Sequence, residues 1–298
     1  MKYISVCKTA EKWNISERSV RNYCNDGRVP GAILDGKTWL IPENAVKPER
    51  KKSKGTKNRS LPEALKDEKE AGIKGGIYHK LQIELTYNSN HIEGSRLTHD
   101  QTRMIFETNT IGIDNTAVPV DDIVETANHF RCIDHIIDVY NKALTEQMIK
   151  NLHLMLKNGT GDSRKNWFAV GDYKRLPNEV GGKTTANPED VQSEMKKLLS
   201  DYNSSKNKTL EDIIEFHYRF ESIHPFQDGN GRVGRLIMLK ECLKHNIVPF
   251  VIDEEHKLFY YRGLAEWKNE KGFLTDTCLS AQDKFKEWLD YFRIKYEN

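Results

Sequence analysis

The sequence predicts a mainly α-helical body with one small β-hairpin, preceded by a small head of two helices and a second hairpin. Three observations carry this. From Leu61 onward the chain is dominated by stretches whose apolar residues recur at helical spacing. The first ~46 residues run instead as helix, helix, strand, turn, strand. Between these regions lies a basic stretch with no apolar periodicity.

In the head, Lys8 to Trp13 and Glu17 to Asn25 have helical patterning, and Ser16 is placed to cap the second helix. Asp26-Gly27 stops that helix. Ile33 to Ile41 reads as strand, two-residue turn, strand, because Asp35-Gly36 supplies the positive backbone angles of a tight turn. Pro42 closes the unit.

The charge is uneven along the chain. Of the 46 basic and 44 acidic side chains, residues 1–60 hold 14 and 6, which leaves 32 and 38 for the rest. A basic head on a mildly acidic body points to a polyanion as the head's partner, with solvation of a flexible tail as the alternative. The stretch from Lys47 to Ser60 carries seven basic residues and reads as a flexible linker.

In the body, helices are expected over 77–88, 98–108, 119–142, 145–157, 188–202, 208–223 and 230–245, with a C-terminal stretch ending near Tyr296. No internal repeat is present. No apolar run approaches the ~20 residues of a membrane span, and Met1 to Ala10 lacks the apolar segment of a secretory signal. Five scattered cysteines without CxxC spacing read as reduced thiols or core fillers, not as a disulfide frame or zinc site. The expectation is a cytoplasmic protein without a membrane partner.

The richest chemistry lies in His224-Pro225-Phe226-Gln227-Asp228-Gly229-Asn230-Gly231-Arg232-Val233-Gly234-Arg235. Helix 208–223 runs up to it with one apolar face (Leu210, Ile213, Phe216, Phe220, Ile223) and a capping box at Thr209 and Asp212. Pro225 pushes His224 toward extended backbone, so the histidine stands where a buried helix breaks. Gly229-Asn230-Gly231 can turn successive amides toward one point at a helix start, an anion nest reinforced by the helix dipole. Arg232 and Arg235, three apart, share a helix face. Asp228 suits a hard cation held between phosphate oxygens. Each residue alone reads as structural; in this order and spacing they read as a phosphate site with a base. Gly182-Lys183-Thr184 resembles the end of a Walker A loop, but Pro177 stands where its first glycine is required.

This run resembles the signature of the Fic family, HxFxDGNGRxxR, at every defined position. The resemblance spans about residues 77–250 and implies a Fic-type helical bundle with a small β-hairpin flap. It further implies transfer of AMP from ATP, with Mg2+, to a Ser, Thr or Tyr hydroxyl of a target protein or of the enzyme itself. His224 would be the base and Asp228 the metal ligand. The amides of Gly229 and Gly231 with Asn230 would bind the α-phosphate region, and Arg232 the outer phosphates. Gly231 stands where Doc-type kinases carry lysine, which favours AMP over phosphate as the group moved.

Upstream, Ser89, Glu93 and Gly94 resemble the family's inhibitory motif [S/T]xxxE[G/N]. There the glutamate pairs with the motif's second arginine, here Arg235, and competes with the ATP γ-phosphate. Read without the family, the same residues are a solvated glutamate and a helix-stopping glycine. Some inhibited relatives also remove AMP, and the residues for that are kept. Gly171 to Thr185 resembles the flap that pairs with the target as an added strand, with Tyr173 or Leu176 as contacts. Self-association is an expectation of the resemblance alone.

The head resembles a winged helix-turn-helix of the excisionase or MerR kind, through Thr9 to Ser16, Ser19-Val20-Arg21 and the Gly36 to Trp39 wing. On that resemblance Arg18, Ser19 and Arg21 face DNA bases, while Arg28 and Lys37 meet phosphates. Use of the same unit for protein docking or dimerisation stays open. The organisation expected is therefore 1–46 head, 47–62 linker, and 63–298 Fic domain with its upstream inhibitory helix. Two further functions stay open: a DNA-binding regulator whose Fic body senses nucleotide, and a Fic enzyme moving UMP, phosphocholine or phosphate.

Overall fold

Backbone contacts divide the chain into two units, Met1–Lys57 and Asn58–Asn298. The structure is a computed structural model that describes residues 2–25, 27–35, 38–48, 59–112 and 117–296, and of residues 18 and 183 the backbone only. Lys37, the side chain of Arg18 and most of the basic linker thus lie outside the described residues.

In the first unit β1 (Tyr3–Ser5) leads into α1 (Val6–Trp13) and α2 (Glu17–Asn25), followed by β2 (Ile33–Asp35) and β3 (Thr38–Pro42). Ser5 caps α1 by accepting from the Lys8 amide at 3.3 Å, and Ser16 accepts from the Ser19 amide at 3.3 Å. The sheet order is β1-β3-β2, antiparallel throughout, with Tyr3 opposite Pro42 and Ile33 opposite Leu40. The strand β1 was not expected, since three residues are too few to show alternation. Val6, Ala10, Trp13, Val20, Cys24, Val29 and Ile41 form the core of this unit. Trp39 ties the hairpin to α2 by donating to Asn25 Oδ1 at 3.1 Å.

The second unit begins with α3 (Leu61–Ala71), α4 (Ile77–Ile92), α5 (His99–Thr108), α6 (Val120–Val139) and α7 (Glu146–Lys157). A hairpin of β4 (Glu179–Val180) and β5 (Lys183–Thr184) follows, then α8 (Pro188–Asn203), α9 (Leu210–Ile223), α10 (Asn230–Lys244), α11 (Glu254–Glu266) and α12 (Gly272–Phe292). The helix α3 was missed. It starts at Leu61, two residues before the expected boundary, where Pro62 stands at its first positions and the Ser60 amide donates to Glu63 at 3.0 Å. The C-terminal stretch is two helices. The expected capping box of α9 is present, with Thr209 N donating to Asp212 at 2.8 Å and Asp212 N to Thr209 Oγ1 at 3.3 Å.

Packing centres on α10, which is buried on every side from Asn230 to Leu243. It lies against α4, α6, α7 and α9, and its apolar residues Val233, Leu236, Leu239 and Leu243 join the main core. A helix surrounded in this way can receive one polar group from each neighbour at its N-terminal end. Four of the five cysteines are buried and Cys7 is exposed; all are free thiols. Among the described residues no helix is long and apolar enough to cross a membrane.

Candidate active site

The loop between α9 and α10 is locked by its own side chains. Phe226 is fully buried and stacks on His153, ring centroids 4.0 Å apart. Asn230 folds back on it: the Phe226 amide donates to Asn230 Oδ1 and Asn230 Nδ2 to the Phe226 carbonyl, both at 2.8 Å. Asn230, expected on a phosphate, has its side-chain amide closing the loop through these two bonds. Gly229 takes φ 82°, a left-handed turn that glycine adopts without strain. The first helical bond runs from Val233 N to Gly229 O at 3.0 Å, so the amides of residues 230–232 precede the helix's own ladder.

His224 caps α9, but not in the extended conformation expected before a proline. It is left-handed, φ 52° and ψ 61°, and its amide donates to the Phe220 carbonyl at 2.9 Å. That conformation also escapes the right-handed helical region that a following proline disfavours, and it closes the helix end. Burial, then the nearby Lys174 ammonium, lowers the imidazole to about 4. The ring is therefore neutral near pH 7, the form able to take a proton.

Each arginine of α10 meets a carboxylate from another part of the chain. Arg235 donates to Ser89 Oγ at 3.0 Å, to the Ser89 carbonyl at 2.9 Å and to Glu93 Oε1 at 2.6 Å. Ser89 lies in the last turns of α4, Glu93 follows its end, and Gly94 turns the chain away at φ 93°. A Cβ on Gly231 would lie 2.2 Å from Glu93 Oε1. The carboxylate thus rests directly on the bare start of α10, where a helix favours an anion.

Arg232 is bound to Glu125 of α6 and to Asp228 at 3.2 Å. Lys157, at the end of α7, joins the same group through Glu125, through Asp228 at 2.6 Å and through Asp162 at 3.4 Å. Burial opposes ionisation of Asp228, but Arg232 and Lys157 outweigh it and hold its pKa down to about 2. Neither Lys157 nor Glu125 was singled out in the sequence.

Among the described residues no three His, Cys, Asp or Glu side chains gather into a metal cage. Asp228 is a single charged carboxylate with its side chain 46% exposed. That donor set fits a magnesium ion shared with nucleotide phosphates, the usual manner for this ion, and not one held by protein alone.

Following a segment bonded to the α9–α10 loop, β4 and β5 pair with Glu179 opposite Thr184. Lys174 anchors this segment: its amide donates to the Pro225 carbonyl at 2.8 Å, and its Nζ to Asn178 Oδ1 at 2.7 Å and Thr185 Oγ1 at 2.6 Å. Tyr173, named above as a contact residue, is buried in the core instead, with Lys150 4.1 Å from its ring centroid. Leu176 is exposed.

In the head, the Ser19 hydroxyl lies 3.0 Å from that of Ser16. Arg21 is exposed and within 3.5 Å of Glu17, and Arg28 stacks over Tyr23 at 4.9 Å.

Residues 143–242 match the Fic/DOC family. Two curated relatives, each called "Protein adenylyltransferase Fic", are 30% identical over 188 residues in Nematostella vectensis and 29% identical over 188 residues in Aedes aegypti. Each alignment covers 60% of this chain, but 42% and 36% of the relative, so the chain spans less than half of their length. A solved Fic domain containing signaling protein from Bacteroides thetaiotaomicron superposes with TM-score 0.58 at 28% identity, covering 77% of this chain and 84% of that one. A Fic family protein from Desulfovibrio desulfuricans superposes at 0.60 and 23% identity over 77% and 71%, a likeness of fold.

Proposed function

We propose that this chain, which carries a Fic/DOC family domain, is a protein adenylyltransferase restrained by its own Glu93. The observation that carries the reading is His224, largely shielded from water, in the loop that leads into the start of α10, with Asp228 in the same loop and Arg232 and Arg235 on that helix. The curated relatives' names support the same activity.

In this reading His224 takes the proton from a Ser, Thr or Tyr hydroxyl of the target. The oxygen bonds to the α-phosphorus of ATP, and the bond to pyrophosphate breaks. The start of α10 supplies fixed dipoles for charge on the phosphoryl oxygens, which need no reorganisation during the reaction. Arg232 and Arg235 hold the outer phosphates, and Lys157 keeps Asp228 charged and placed. Magnesium bound with the nucleotide would neutralise phosphate charge, and Asp228 is the residue that would hold it.

Glu93 restrains the reaction because its carboxylate and a phosphate compete for Arg235 and for the space over Gly231. The exposed flap hairpin is the edge on which a target segment would lie.

Product identity tests the reading. The Glu93→Gly protein is incubated with cell lysate, magnesium and ATP labelled on either the α- or the γ-phosphate. Covalent α-label without γ-label is expected. Retained γ-label would make the enzyme a kinase, and competition by UTP or CDP-choline would move the reading to another transferred group. A second reading, a DNA-binding regulator, draws on the basic segment 1–60. It predicts sequence-dependent DNA binding by the full chain that weakens steeply with salt.

A further inference from the structure

Beside the proposed base lies a buried polar cluster that the chemistry above leaves unused. His217 and Glu221 stand one turn apart on α9 and reach toward α10. A Cβ on Gly234 would lie 2.7 Å from His217 Nδ1 and 2.8 Å from Glu221 Oε1, so only a bare Cα admits both atoms. His217 Nε2 shares a 2.6 Å hydrogen bond with the Tyr260 hydroxyl. Glu221 Oε1 and His217 Nδ1 are sealed from solvent without a hydrogen-bond partner, and His224 Nδ1 is sealed likewise with only the Glu221 backbone carbonyl, at poor hydrogen-bond geometry, beside it. Unmet polar atoms in a core cost stability, and a cluster of them calls for an explanation. Glu221 Oε2 stands 3.8 Å from His224 Nδ1. That is too long for a hydrogen bond to a neutral ring, and close enough for an ion pair once the ring is charged.

We propose that Glu221 is a positioning residue for His224, and that it carries the state of Glu93, through Arg235, to the base. The groups around it are Glu93 beyond α4, Arg235 of α10, Tyr260 and Tyr261 of α11, and His217 and His224 of its own helix. While Glu93 rests on Arg235, burial first and the Glu93 charge second push the Glu221 carboxyl up to about 8, against the pull of Arg235. Glu221 then keeps its proton near pH 7 and offers His224 no charge.

When Glu93 leaves, one raising influence goes and the pull of Arg235 remains, which lowers the Glu221 pKa and favours its ionised form. As the ring takes the target's hydroxyl proton on its other nitrogen, the carboxylate at Nδ1 stabilises the imidazolium. The same glutamate would therefore restrain both the phosphate and the base.

This inference rests on the adenylyltransferase reading for its kinetic arm only. The primary test is nitrogen-15 NMR of histidine-labelled full-length protein, with His224 identified by loss of its signals in His224→Ala. The sign is decisive. Glu93's own charge raises the His224 pKa, so removing Glu93 by field alone must lower it. The relay through Glu221 raises it instead. An upward shift in Glu93→Gly is expected, turning downward in Glu93→Gly/Glu221→Gln, which keeps the Glu221 backbone carbonyl. A downward shift in Glu93→Gly with Glu221 intact overturns the proposal, whether or not the Gln variant folds.

In the kinetic arm, Glu93→Gly/Glu221→Gln should transfer AMP roughly 10- to 100-fold more slowly, with the acid limb of its pH–rate profile moved to lower pH. A slower rate with an unmoved limb would make Glu221 merely structural. Absence of transfer in every variant, with the NMR shift upward, would sink the transferase reading and leave the relay standing.

Discussion

Arg232 and Arg235 stand one helical turn apart on α10, each facing a carboxylate from another part of the chain, yet the two environments differ in kind. Glu125 projects from the second turn of α6, has its side chain only 12% exposed, and serves two cations at once, Arg232 and Lys157. Glu93 follows the end of α4, is 28% exposed, serves one cation, and is succeeded by a glycine at positive φ. The first arrangement is a closed network whose parts cannot leave singly. The second is a latch at a helix end, with little to hold it besides the cation it covers. Identical ion-pair chemistry is held closely in one place and loosely in the other, because the backbone behind each carboxylate differs.

The largest effect expected on this contrast is at the base. His224→Ala in the Glu93→Gly protein should reduce AMP transfer by roughly 10^2- to 10^4-fold, measured as α-label incorporation with the melting temperature unchanged. Next come the two carboxylates. Glu125→Ala leaves two buried cations short of a partner and should cost about 3–5 kcal/mol in chemical denaturation. Glu93→Gly should cost only about 1–2 kcal/mol and raise transfer by roughly 10-fold or more. Equal stability losses for the two would break the comparison.

The contact between Gly231 and Glu93 gives a sharper measure. Gly231→Ala forces a methyl group onto the carboxylate and should destabilise the wild type clearly more than it destabilises Glu93→Gly. The coupling in a double-mutant cycle should be roughly 1–3 kcal/mol; additive effects would mean the carboxylate does not rest there.

A separate effect is a pH dependence of stability. Burial lowers His129, His153 and His217 to about 3 and His224 to about 4. The unfolded chain binds protons at these rings from about pH 6.5 downward while the folded chain does not, so stability falls through that window. Each ring contributes up to about 1.4 kcal/mol per pH unit. Glu221, raised to about 8, acts in the opposite sense as pH falls from there toward the ordinary carboxylate range. The melting temperature should therefore decline below about pH 6.5, and a flat profile down to pH 4 would contradict the burial of these histidines.

What could be read in the sequence was contiguous. The run from His224 to Arg235 holds its residues in order, and the start of α10 follows from its glycines and the apolar spacing beyond. The capping box at Thr209 and the turn at Gly94 are likewise local signals. Glu125, Lys157 and Glu221 were not readable, because each is an ordinary charged residue on a helix until packing delivers it to the site. One local rule also gave way to tertiary demands. The rule for residues before proline placed His224 in extended backbone, while closing α9 required a left-handed cap. The strand β1 and helix α3 were missed for a simpler reason: three residues carry no alternation, and α3 begins directly after a basic stretch that masks its start.

The central claim is that the chain transfers AMP with His224 as the base and that Glu93 withholds Arg235 from the nucleotide. Its most direct test measures incorporation of α-labelled AMP, side by side, by the wild type, Glu93→Gly and Glu93→Gly/His224→Ala in cell lysate with magnesium. The account predicts weak labelling, strong labelling and none, in that order. Equal labelling by the first two would remove the latch, and labelling by the third would remove His224 as the base.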